Sequence, residues 1–172
     1  MTSQLPHDHY IDAVVTALAD VGRDPANVTL DDCDTRGAHR YLRALLHFTP
    51  EVAYGVDQTV WPHGLLLIWK WHTGLEADLG EPERGPVWLS AKCSSDGTND
   101  EPVPLPVPGV ANPMQVAFSL AELINTGRAG KRRIGHWACA VSLITDCEAW
   151  GIRSAPNRDH ECHGRVRRHP GR

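Results

Sequence analysis

The sequence predicts an α+β fold, a small antiparallel sheet packed against helices, with a partly ordered basic C-terminal tail. Three features carry that prediction. Residues 65–72 and 87–92 alternate with the period of a strand, and the connection between them is rich in glycine and proline. Residues 7–21 and 112–126 repeat their apolar side chains with the period of a helix. Beyond Thr126 the charge changes sign and the apolar content falls away, as expected of a chain end that leaves the core.

In chain order, Ile11, Val14, Val15 and Leu18 share one helical face, and Gly22 ends that helix. His7 and His9 at its start face apart and read as surface histidines. Asp31, Asp32 and Asp34 crowd the next segment. Without the glycine and distal glutamate of a calcium loop, they read as an acidic loop or helix cap. A second helix is predicted over residues 36–48, on the stripe Ala38, Leu42, Leu45 and Leu46. Thr49 and Pro50 then offer a cap and a first helical position for a short further piece.

The stretch from Val60 to Lys92 holds four of the six tryptophans. Within it Leu65, Leu67, Trp69 and Trp71 form one wholly apolar strand face. The other face runs from Leu66 and Ile68 to Lys70 and His72, so it is expected to reach solvent near Lys70. Aligned tryptophans can serve as a stacking platform for bases or sugars. Because Trp69 and Trp71 share the all-apolar face, core packing is the expectation here.

After Lys92, prolines at 102, 104, 106 and 108 favour an extended polyproline loop over residues 93–111. Asn112 and Pro113 then form a strong helix start. Gln115, Ser119, Glu122 and Thr126 make a single polar stripe on that helix, which predicts that it lies largely buried across the tryptophan-bearing sheet. The turn GRAGKRRIG at 127–135 leads into a helix expected over residues 136–150, with a strand over part of that run, around Val141 to Thr145, as the alternative. One domain is expected over residues 1–150, and a basic, partly disordered tail over residues 151–172.

The net charge of −4 hides an asymmetry: residues 1–127 carry −10 and residues 128–172 carry +6. Such a basic segment attracts nucleic acid or an acidic partner through long-range electrostatics, or lies back on its own acidic body. The first twenty residues hold Asp8, Asp12 and Asp20 and no sustained apolar core, so no secretory leader is expected. Nothing approaches the roughly 18 apolar residues of a membrane span. Five scattered cysteines suggest reduced thiols in a cytoplasmic protein.

Gly127-x-x-Gly130-Lys131 fails as a phosphate-binding P-loop, because position 125 is asparagine and a helix precedes it. As a backbone-clamping GXXG loop between two helices it fares better, with Arg128, Lys131, Arg132 and Arg133 supplying charge; a solvated turn is the plainer alternative. His136, Cys139, Cys147, His160, Cys162 and His163 crowd 28 residues. On a helix, Cys139 and Cys147 lie about 12 Å apart along the axis and cannot share a zinc ion. His136 and Cys139 joined by Cys162 and His163 form a geometrically possible zinc set, on a spacing that matches no standard finger. Signatures of catalysis are missing: there is no G-x-S-x-G, H-E-x-x-H or dinucleotide-binding glycine pattern, and no catalytic residue is assigned.

LLLIWKWHTG at 65–74, PLP at 104–106 and NPMQVAFSLAELI at 112–124 give the chain an order of parts that resembles a family of small actinobacterial proteins of unknown function. The excess of arginine over lysine, 14 to 3, agrees with a GC-rich source. The resemblance implies an α+β fold and an accessory, non-enzymatic role, and supplies no catalytic residues. The expectation is therefore a small cytoplasmic accessory protein, of the kind plasmids and other mobile elements encode. It would contact nucleic acid or an acidic protein through Arg128, Lys131, Arg132, Arg133, Arg165, Arg167 and Arg168. The alternative is a zinc-binding module or metal-dependent enzyme built on the Cys/His set.

Overall fold

The computed structural model describes residues 4–33, 40–50, 56–74, 78, 80–81, 85–153 and 163–168, with residues 153 and 163–168 described by their backbone alone. Three helices, α1 (Asp8–Asp20), α2 (Pro113–Thr126) and α3 (Ala140–Arg153), accompany six strands. These are β1 (Asn27–Cys33), β2 (Tyr41–Phe48), β3 (Leu65–His72), β4 (Val87–Lys92), β5 (Val103–Pro104) and β6 (His163–Arg168). Every pairing is antiparallel and the order is β5-β4-β3-β2-β1-β6. The predicted α+β class is the observed one. No helix among the described residues is long and apolar enough to cross a membrane.

β3 forms where alternation predicts it, and its apolar face is core: Leu65, Leu67, Trp69 and Trp71 are all buried. Trp88 lies beside Trp69 in register and is also fully buried. Tyr10 of α1 meets both indole rings edge-on, with centroids at 6.2 and 6.0 Å. Large buried aromatics need partners for their polar edges. The Trp69 indole N–H donates to the Gly109 carbonyl at 2.8 Å, Trp61 to the Ile124 carbonyl at 3.1 Å, and Trp88 to the Tyr10 hydroxyl at 3.0 Å. Tyr10 in turn donates to the Ala111 carbonyl at 2.9 Å. The four tryptophans of the 60–92 stretch are packed core and present no stacking platform to solvent.

Several expectations give way. Residues 41–48 are a strand: Leu42, Ala44, Leu46 and Phe48 are fully buried on the helix-covered face, and Tyr41, Arg43, Leu45 and His47 alternate onto the other. Leucine and arginine favour helix intrinsically, but pairing with β1 and β3 along the whole length overrides that weak preference. The preceding residues 36–39, and 51–55 of the short piece expected after Pro50, lie outside the described residues. The expected acidic loop is β1, with Asp31 held by the Arg43 guanidinium directly opposite at 2.7 Å. Asp34 lies outside the described residues. Asp31 and Asp32 point to opposite faces of the strand, which separates the carboxylates.

His7 is not on the surface. It is fully buried, its ring stacks on Trp69 at 5.2 Å, and its Nε2–H donates to the Arg43 carbonyl at 3.1 Å. His9 lies against the Gln4 side chain at the exposed end of α1. At the far end of β3, His72 is buried where solvent was expected, with the Tyr41 ring 6.0 Å away. Residues 163–168, read as tail, pair with β1 as an edge strand.

α2 begins as predicted. Asn112 accepts the Met114 amide at 3.0 Å, Pro113 fills the first turn, and Gly127 closes the helix in the left-handed conformation at φ 69°. The polar stripe is displaced from its expected position, because Ser119 is fully buried and Phe118 is the exposed neighbour. Asn112→Ala removes the cap and is expected to lower Tm by about 2–4 °C in a calorimetric scan, a loss of about 1 kcal/mol.

Candidate functional site

The basic turn hangs between α2 and α3 and is fixed at both ends. The Gly127 amide donates to the Leu123 carbonyl at 2.8 Å, and Thr126 Oγ1 accepts the Arg128 amide at 3.2 Å. At the other end, Asn112 N–H donates to the Gly135 carbonyl at 2.8 Å and Trp137 N–H to the Val110 carbonyl at 3.0 Å. Gly130 lies against the Glu122 carboxylate, the movable end of a flexible side chain, so of the two glycines of the GXXG pattern it is Gly127, in the left-handed conformation, that has a structural task.

Charge on the turn is divided. Arg128, Lys131 and Arg132 are exposed. Arg133 turns back to α2: its guanidinium lies 3.3 Å from Glu122 and 5.8 Å over the Phe118 ring, and its amide donates to the Pro106 carbonyl at 2.8 Å. A cation shared between a carboxylate and an aromatic face is largely spent on the protein itself. Arg165, Arg167 and Arg168 stand on another element, β6, in register with Leu30, Val28 and Asn27. The seven basic residues named from the sequence therefore fall into two groups, with Arg133 withdrawn from the first.

Of the Cys/His set, His136 bridges Ala111 and is exposed, and Cys139 is exposed at the entry to α3. Cys162 lies outside the described residues, and the His163 backbone pairs with Asp32 on β6. Among the described residues no group of three or more His, Cys, Asp or Glu side chains converges as a metal site. Cys147 faces the core, where burial, with Asp146 and Glu148 adding to it, pushes its thiol up to about 12. The expectation of five free thiols is corrected: Cys33 is disulfide-bonded, whereas Cys93, Cys139 and Cys147 are free.

The sheet face away from the helices carries a feature that the sequence reading missed. A cavity of about 500 Å³ opens there over two transverse rows of side chains. Asn27, His47 and Leu66 are register neighbours in one row, Thr29 and Leu45 in the next. His63 and the segment from Cys93 to Thr98 build the wall. That wall is braced: the Cys93 amide donates to the Gly64 carbonyl at 3.0 Å and the Ser94 amide to the Thr98 carbonyl at 2.9 Å. Gly64 has φ 95° and lies so close to the Phe48 carbonyl that no side chain fits.

Among the described residues no carboxylate, lysine or arginine lines this cavity. Burial lowers the pKa of His47 below the ordinary histidine value, which keeps its ring neutral at neutral pH. Burial raises the Cys93 thiol, so it is not an activated nucleophile. The lining comes from four separate stretches of chain, and a sequence signal for it exists only in the alternations 27/29 and 45/47. Reading residues 36–48 as helix hides the second of these. The chain matches no protein-family model, no curated protein and no solved structure.

Proposed function

We propose that this is a non-enzymatic accessory protein that binds nucleic acid through its basic C-terminal segment. The supporting observation is the division of charge on the 127–135 turn. Arg128, Lys131 and Arg132 are held exposed on a doubly anchored backbone, while the adjacent Arg133 is occupied by Glu122 and Phe118. Preorganised cations bind phosphates without first losing backbone freedom, and they release condensed counterions as they do so. The arginines of β6 extend the basic character to a sheet edge.

Fluorescence anisotropy with labelled single- and double-stranded oligonucleotides tests the reading. Affinity should fall steeply between about 50 and about 200 mM salt, and the variant carrying R128A, K131A and R132A should show a log–log salt slope shallower by about 2–3. R133A should leave the slope nearly unchanged and lower Tm instead. If neither DNA nor RNA binds at low salt while an acidic polypeptide does, the partner is a protein and the nucleic-acid reading fails.

A further inference from the structure

We propose that the cavity on the helix-free face of the sheet is a binding site for an uncharged planar heterocycle of the nucleobase class. This goes beyond the basic turn, none of whose residues lines the cavity. The first argument is charge. The described lining residues include no carboxylate, lysine or arginine, so what they offer a ligand is hydrogen bonding and apolar contact, which favours an uncharged one.

The second argument is shape. Leu45 and Leu66 come from adjacent strands and point from the same sheet face, which puts two apolar side chains side by side among the polar ones of the two rows. An apolar pair standing on a sheet surface favours a flat ligand laid face-down, because a planar ring loses the most apolar surface to water in that pose. The third argument is the rim. Asn27 offers an amide with both donors and an acceptor, Thr29 and Ser94 offer hydroxyls, Thr98 a hydroxyl oxygen whose proton goes to Asp96 at 2.6 Å, and His47 a neutral imidazole. Such groups flank the two leucines and suit a ring whose polar atoms lie on its edge. A volume of about 500 Å³ leaves room for an attached sugar and falls in the range of ordinary small-ligand sites, about 300–1,000 Å³.

The base can arrive on a free nucleoside or on a single strand. The backbone gives the second source a physical path, since Arg168 of β6 is the register partner of Asn27 at the cavity rim.

Cys93 lines the cavity and Cys139 is an exposed free thiol elsewhere, so the protein carries its own reporter and its own control. Alkylation of each cysteine is followed by peptide mass spectrometry, with adenosine, guanosine, cytidine, uridine, a single-stranded octanucleotide and glucose as probes. At about ten times its Kd a bound nucleoside should slow Cys93 modification about tenfold and leave Cys139 unchanged. Protection by free nucleosides and by the octanucleotide identifies a general base site; protection by the octanucleotide alone assigns the strand as the source. Leu66→Trp, which fills the space over the two leucines, and Asn27→Ala, which leaves them intact, should each remove the protection. Equal protection by glucose, or none by any probe together with unmoved amide NMR signals at residues 27–29, 45–47 and 93–98, overturns the proposal. Nucleoside protection does not depend on salt, so it survives or fails separately from binding through the basic turn.

Discussion

Trp69→Ala is expected to lower the free energy of unfolding by about 3–5 kcal/mol, read as a fall in the denaturant midpoint at unchanged slope. Three contributions act in the same direction. The side chain is fully buried, so its removal leaves a void that α1 and β4 cannot close without moving. His7 loses the ring it stacks on. The Gly109 carbonyl loses its indole donor. Against a total stability of about 5–15 kcal/mol, such a loss brings the protein near its unfolding threshold. The same change at Trp150, which is half-buried and meets Trp71 edge-on at 6.2 Å, should cost clearly less. Equal losses at the two positions would mean that the core is not centred on Trp69.

Acidification is expected to destabilise the fold through His7. Burial is the main cause of the shift that takes this group from its ordinary 6.5 down to about 4, with the hydrogen bond to the Arg43 carbonyl acting the other way. The folded value is the lower one, so between pH 6.5 and about 4 the unfolded chain binds more protons than the native one. The stabilisation is fully present above pH 6.5 and is lost as pH falls through that window, by about 3 kcal/mol at its lower end. Denaturant unfolding at pH 7 and near pH 4.5 measures it. His7→Phe retains an aromatic ring against Trp69 but has no proton to gain, so its stability should change less over the same interval. Asp57 and Asp96, each lowered by hydrogen bonds to the threonine two residues on, titrate alike in both proteins and cancel in the comparison. Parallel pH profiles for the two proteins would remove His7 as the cause.

Why some elements were legible and others not follows from how many structures each sequence pattern permits. LLLIWKWH alternates strictly on one face and carries β-favouring aromatics, and NPM sets a cap and a proline where only a helix start uses both; β3 and the start of α2 appear where predicted. In YLRALLHF the leucines at 42, 45 and 46 fit a helical stripe as well as a strand, and only the partners on either side decide between them. His7 offers no local cue to its burial, because the Trp69 ring that receives it lies 62 residues further on. The basic turn was visible as a run of cations. The withdrawal of Arg133 depends on Glu122 and Phe118 sitting one above the other on α2, beside a returning chain. The cavity was the least visible feature, since its lining is assembled by tertiary pairing alone.

The prolines at alternate positions, which read as a polyproline loop, acquire a different meaning beside the sheet order. β5 is two residues long, one of them Pro104, and the Leu105 amide turns inward to the Trp88 carbonyl at 2.9 Å. That border offers almost no free N–H row to an incoming strand. The opposite border is β6, whose sequence HGRVRR holds three arginines, so pairing two such strands would bring like charges together. A sheet that ends in a two-residue proline-bearing strand on one side and an arginine-rich strand on the other is a poor template for further chains. Crowded molecules of this protein should therefore repel rather than zip together, and resistance to fibre growth is built into its two outermost strands.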